Sequence, residues 1–253
     1  MYTKEDLKAG ILKFGIKKDD LLTFHTSMKA VGKIDAVNST GADLLIDALS
    51  ECVPDGLLMI PTHTFRNIRE DGPVFDIRRT MPCIGALPCA AVLRANRAVD
   101  SGDPTCIRSL HVSHSVVAIG KDAREFVESD RRSLTRTPMT GSYGKLYENG
   151  GKILLIGVDL SRCTFIHAVD EYLDPTVYGK VVIRVTDYDG SESDLEEFIT
   201  RGPAAANFPR YQESLEEAGA IVHGKIGDAD SMLVDAVKCF EVVVRKRPEL
   251  GIK

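Results

Sequence analysis

Short, unbroken apolar runs recur along the chain, each closed by a glycine or a proline. Ile153, Leu154, Leu155 and Ile156 stop at Gly157. That is the pattern of a strand buried on both faces, in the middle of a sheet covered by helices. Leu57–Ile60, ended by Pro61, and Ser115–Ile119, ended by Gly120, have the same character, and Leu21–Phe24 is a shorter strand. Between the runs lie helical segments: residues 4–14, a helix opened by Ser39-Thr40-Gly41 that reaches about Cys52, and Ile84–Asn96. After the Lys152 strand, Thr164 or a neighbour caps a helix that Pro175 must end. Ile166, Val169 and Leu173 recur on it at i, i+3 and i+7, one core-facing stripe.

The pattern changes after Pro175. Val181–Asp187 and Ser191–Ile199 flank Asp189-Gly190 as a β-hairpin. A polar helix over Ala204–Ala218, a strand over Ala220–Ile226 and a helix from Asp228 to about Arg247 follow. Residues 66–83 lack periodicity and read as a long surface excursion, of the kind that tends to be functional in a compact domain. Asp100–Pro104 is a turn cluster, and Thr140–Leu146 is a loop opening a short helix. Gly202-Pro203 is a joint, but no linker is long or polar enough to divide the chain, so residues 1–253 are expected to form a single domain of the α/β class.

Composition adds exclusions. At 43% hydrophobic and 27% charged residues, with no run of 18 apolar positions, the chain is expected to have no membrane span. Its opening segment is polar and amphipathic rather than a signal peptide. Six cysteines without a CxxC pair favour reduced thiols, a cytoplasmic setting and no structural zinc. A net charge of −5 argues against a nucleic-acid partner and is compatible with a cationic substrate.

Candidate chemistry concentrates in three stretches. His167 and Glu171 stand four residues apart on a helix, so the carboxylate can orient the imidazole of a general base; a solvated surface pair has the same spacing. Cys163 lies four residues before His167, which leaves open a thiolate nucleophile and ping-pong transfer, whereas a metal reading of His167-x-x-x-Glu171 lacks a second histidine. His25-Thr26-Ser27 leaves a strand into a loop that ends at Gly32, ahead of a capped helix. This is either an anion cradle or a plain connection. Arg108-Ser109-Leu110-His111-Val112-Ser113-His114 packs two histidines and two serines before a buried strand, and a buried, backbone-bonded histidine is the plainer reading for one of them.

These pieces together resemble the aminoglycoside 3-N-acetyltransferase family of coenzyme A-dependent enzymes. The resemblance rests on His25-Thr-Ser-Met with Gly32, Phe75-Asp76, Gly85-Ala-Leu-Pro88 and Arg108–Ser115, then on Ser142-Tyr-Gly-Lys-Leu146, Lys152–Val158 with Thr164-Phe-Ile-His167, and Ile226-Gly-Asp-Ala229. The chain departs from the family's usual Pro-Thr-Phe-Thr at Pro61–Thr64, where it has His63, and from the usual His-Pro-Thr-His at His111–His114. Cys163 stands where an asparagine is common, and the segment between Thr80 and Gly85 is a residue short.

The resemblance implies a three-layer α/β/α fold with a central mixed sheet. It implies acetyl-CoA as cosubstrate, no metal, and transfer to a small-molecule primary amine such as the 3-amino group of an aminoglycoside, with antibiotic resistance where the amine is a drug. Carried over by position, His167, Glu171 and His25 are catalytic. Thr26, Ser27, Met28, Lys29, Ala30, Val31, Gly32, Arg108 and Ser109 bind coenzyme A, and Asp76, His114 and Asp170 face the acceptor. With Glu171 and Asp174, the two aspartates point to a cationic acceptor. The oligomeric state is left open, a homodimer included.

Overall fold

Side chains two apart in a strand share a face, so an apolar run of four divides into two pairs. In β6 (Lys152–Ile156), Leu154 and Ile156 belong to one hydrophobic core, Ile153 and Leu155 to another. The computed structural model of the chain describes residues 1–37, 39–66, 73–132 and 134–252. β6 lies inside a seven-stranded sheet with β1 (Leu21–Thr26), β2 (Leu57–Pro61), β4 (Cys106–Arg108), β5 (Val116–Ile119), β9 (Ile221–Ile226) and β10 (Ala229–Asp235). The order is β4-β5-β2-β1-β6-β10-β9. β1 runs parallel to β2 and β6, while β5 and β10 are antiparallel to their neighbours, so the sheet is mixed.

One face is covered by α1 (Lys4–Leu12), α3 (Gly41–Cys52) and α4 (Ala86–Ser101), which supply Leu7, Leu45, Leu49 and Val92 to the first core. The other is covered by α5 (Ala123–Glu128), α6 (Ser142–Glu148), α7 (Thr164–Leu173), α8 (Gln212–Glu217) and α9 (Ala236–Glu249), with Ile166, Val169, Leu215 and Val242 in the second. The result is the expected α/β/α layering. A small second sheet joins β3 (Val74–Asp76) to a hairpin of β7 (Val177–Thr186) and β8 (Glu192–Thr200). Phe75, Ile183 and Val185 pack there on Leu110 and Val112, so this sheet steadies the segment that carries His111.

Several boundaries move for physical reasons. α4 begins at Ala86 and runs through the expected turn to Ser101, since its alanine-rich sequence holds a helix up to Gly102. The strand Cys106–Arg108 ahead of β5 is too short to show a period. The segment expected to be helical from Asp228 first forms β10 against β6 and β9; Asp235 then caps α9, accepting from the amides of Val237 and Lys238. The polar helix begins as a 3₁₀ turn, Ala205–Tyr211, because Pro209 lacks an amide proton. Thr164 does not cap α7: Cys163 holds the cap position without a side-chain bond. Residues 67–72 of the expected excursion lie outside the described residues, and the rest of it holds β3.

Candidate active site

Three parallel strands end at the same edge of the sheet, where open α/β folds gather their ligands. β1 delivers His25 and Thr26 there, and the chain leaving β2 delivers His63. β5 runs antiparallel to β2, so the residues just before it, His111 to Ser115, arrive at that edge from the opposite direction. The short turn after β6 leads into α7 and sets His167 over the same hollow. Four histidines line it: His25, His63, His114 and His167.

Three of them have a hydrogen-bond partner. His25 Nε2 accepts from the first amide of α7, that of Thr164, at 3.5 Å. His63 Nε2 meets the Tyr143 hydroxyl at 2.9 Å, and His114 Nδ1 meets Ser113 Oγ at 2.8 Å. The His63 and His114 rings lie 4.5 Å apart, and Phe65 stacks on His114. His167 touches Phe208 edge-on at 4.6 Å and, among the described residues, has no hydrogen-bond partner on either nitrogen. Burial pushes it down to about 4, with Arg136 adding to the effect. Burial likewise brings His25 to about 4, with Arg162 behind it, and holds His63 and His114 well below the usual histidine value. The cleft therefore holds neutral imidazoles at pH 7.

His111 is the buried, structural member of its pair. Its Nε2 donates to the Thr135 carbonyl at 2.8 Å, while its Nδ1 accepts from the His114 amide at 3.2 Å. Glu171 does not orient His167. Its carboxylate accepts from the hydroxyls of Thr135, Thr137 and Thr200 and from the Thr137 amide.

Other expected site residues are placed elsewhere. Arg108 is 1% exposed, and its guanidinium donates to Ser115 Oγ and to the carbonyls of Thr62, Ile77 and Thr80, over the Phe75 ring. It ties the two sheets together and has no free face for a phosphate. Ser109 is buried, its hydroxyl accepting from the Val116 amide. Asp76 caps its own turn at the Arg78 and Arg79 amides. Asp170 is fully buried against Arg247, and burial pushes it up to about 7. Asp174 accepts from the Thr176 amide. None of these five lines the histidine cleft.

The segment after His25 is a short helix rather than an open loop. Ser27 caps α2 (Met28–Val31) by accepting from the Ala30 amide. Met28 and Val31 turn into the first core, Lys29 is exposed, and Gly32 packs against Asp228. Of the stretch from His25 to Gly32, only His25 and Thr26 line the cleft. Cys163 is 0% exposed in the second core, its free thiol hydrogen-bonded with that of Cys239, so it lines no cavity here.

The cleft is about 510 Å³, with Arg66 and Arg162 at its rim beside His25, Thr26 and His63. At His114 and His167 it meets a second cavity of about 340 Å³, whose charged lining is Arg136, Arg201 and Glu171. At Val158 it adjoins a third hollow of about 710 Å³, bordered by Ala30 and by Asp159, Asp228 and Asp230. His63, Tyr143 and the four arginines are site residues that sequence reasoning did not assign; His63 left a signal as the departure from Pro-Thr-Phe-Thr and Tyr143 as part of the Ser142–Leu146 motif, the arginines none. Among the described residues, no group of three or more His, Cys, Asp or Glu could hold a metal ion, and no helix is long and apolar enough to cross a membrane.

Comparison with known proteins gives a consistent picture. Residues 23–246 match the family model described as Aminoglycoside 3-N-acetyltransferase. The chain is 25% identical over 268 residues to aminoglycoside N(3)-acetyltransferase IX of Micromonospora chalcea, covering 96% of this chain and 92% of that one. It is 29% identical over 184 residues to a type III enzyme of Salmonella, covering 69% of this chain and 62% of the relative. In fold it resembles an AAC-IIIb enzyme solved in binary complex with CoASH, with a TM-score of 0.76 at 24% identity over 98% of this chain and 97% of that one.

Proposed function

Because the chain belongs to the aminoglycoside 3-N-acetyltransferase family, a family of acyltransferases, we propose that it moves an acetyl group from acetyl-CoA directly to a primary amine of a small molecule, with His167 as general base. One observation carries this. Of the four cleft histidines, His167 alone has no hydrogen-bond partner among the described residues, and it stands where two cavities meet.

The 510 Å³ cleft suits the coenzyme. Arg66 and Arg162 are cations for its phosphates, Thr26 is at hand, and the Ser27–Gly32 turn acts as a wall more than as a set of contacts. The adjoining hollow, with its three aspartates, repels phosphate. In the transfer, the amine nitrogen bonds to the acetyl carbon, the carbon–sulfur bond breaks, and the proton of the amine passes to His167. An imidazole held neutral at pH 7 has its lone pair free for that step. Cys163 has no path to the thioester, which favours direct over ping-pong transfer. The relatives are named for aminoglycoside acceptors, so the amine panel includes an aminoglycoside beside smaller amines. The whole chain acts as one domain, and its unpaired cysteines support a reducing, cytoplasmic setting.

The test follows free thiol released from acetyl-CoA in the presence of an amine panel. His167→Ala lowers kcat by roughly 10²-fold or more while coenzyme A affinity stays nearly constant. Cys163→Ala keeps its turnover. Full activity in His167→Ala, or an acetyl group found on Cys163 that is competent for transfer, would defeat the reading.

A further inference from the structure

We propose that the acceptor carries an anionic group, carboxylate or phosphate, close to its amine, and that Arg136 and Arg201 hold it. This rests on the reading of the cleft as an acetyl-transfer site and names the acceptor's chemistry.

The 340 Å³ cavity beyond His114 and His167 has three charged residues in its lining, Arg136, Arg201 and Glu171. Glu171, 9% exposed, is committed to Thr135, Thr137 and Thr200. Those threonines flank the arginines in sequence: Arg136 lies between Thr135 and Thr137, and Arg201 follows Thr200. One buried carboxylate thus anchors both short segments that present a guanidinium to the cavity. His111 anchors the first again through the Thr135 carbonyl. Glu197 steadies Arg136 at Nε, 3.6 Å away, and Tyr178 lies 4.3 Å beneath the Arg201 guanidinium. Among the described residues, the terminal nitrogens of Arg136 make no hydrogen bond and Arg201 has no carboxylate partner.

A polycation would need carboxylates on this wall. Asp76, Asp170 and Asp174 are occupied elsewhere, and Asp159, Asp228 and Asp230 lie on the far side of Val158. Two arginines, one beside Glu197 and one over the Tyr178 ring, suit a carboxylate or phosphate, which each guanidinium can bind through paired N–H groups. They also disfavour the protonated form of a nearby amine, which promotes its attack. The coenzyme's phosphates have their own cations, Arg66 and Arg162, on the other side of the histidines.

The experiment uses the full chain loaded with coenzyme A or acetyl-CoA, reading amine binding by calorimetry and transfer by thiol release. The probes are 4-aminobutyrate, its neutral amide, phosphoethanolamine and the polycation sisomicin. An anionic probe is favoured over the neutral amide by roughly 10-fold or more, the worth of a charge-assisted contact. Arg136→Gln and Arg201→Gln each erase that preference, and Arg136→Lys keeps part of it. The carboxylate and phosphate arms decide which anion is meant. If no amine is acetylated, arginine-dependent binding of an anionic probe still supports the inference although the transfer reading fails. Absence of that binding overturns it. So do a preference for sisomicin that grows in the glutamine variants, and loss of coenzyme A affinity in those variants with amine preference unchanged.

Discussion

Glu171 and His167 share a face of α7 yet have separate tasks. With its oxygens committed to three threonines, Glu171 sets loop geometry and is a positioning residue. A glutamine there keeps one carbonyl oxygen but turns the other acceptor into a donor, facing groups that also donate. Glu171→Gln is therefore expected to raise the acceptor KM by roughly 10-fold, since one or two hydrogen bonds are lost. With His167 as the proposed base, the acid limb of the kcat/KM profile should stay in place. A shifted limb with unchanged KM would restore Glu171 as the partner that supports the imidazolium. The departure from the paired reading is local: spacing on a helix decides which side chains can meet, and the loops packed over it decide which do.

At the scale of elements, the cleft depends on a close approach between the turn after β6 and α2. Gly157 has φ of 64°, and a Cβ there would come within 2.3 Å of the Ala30 Cβ and 3.2 Å of the Ala229 Cβ. Gly102, at φ of 74° with nothing within 4 Å, isolates the backbone contribution. Gly102→Ala should cost roughly 1–2 kcal/mol, a fall in Tm of about 2–8 °C. Gly157→Ala should cost more, because Ala30 or the sheet must move, and coenzyme A should bind more weakly as the His25–Gly32 wall shifts. Equal melting temperatures for the two variants, measured by calorimetry, would show that the contact yields freely. The same turn explains why α7 starts without a side-chain cap: the imidazole at the end of β1 takes its first amide.

For the whole molecule, gathering four neutral histidines at one sheet edge makes the fold sensitive to acid. His25 and His167 are held at about 4, and His63 and His114 well below 6.5, whereas in the unfolded chain each takes a proton near 6.5. Between about 6.5 and 4 the unfolded state binds protons that the folded state refuses, so stability falls as pH falls. Asp170 acts in the opposite sense. Raised to about 7, its contribution is full below the unfolded carboxyl value and lost as pH rises through 7. Four histidines outweigh one aspartate, so Tm should fall steadily from pH 7 to 4.5, and His63→Phe should flatten the curve. A Tm that is level or rising across that window would show that the cleft takes up protons without cost. The strands, the two-faced core, the hairpin and the family were legible in the chain itself, because apolar periodicity, turn glycines and ordered motifs are properties of neighbouring residues. So was the position of His167 just beyond the end of β6. Tertiary structure alone decided that Arg108, Ser109, Asp76 and Asp170 serve the frame, that Cys163 is sealed in the core, that His63 lines the cleft, and that Arg136 and Arg201 line the cavity beside it. Burial and charge environment arise from segments far apart in sequence meeting at one sheet edge, and no local pattern records which of them will meet.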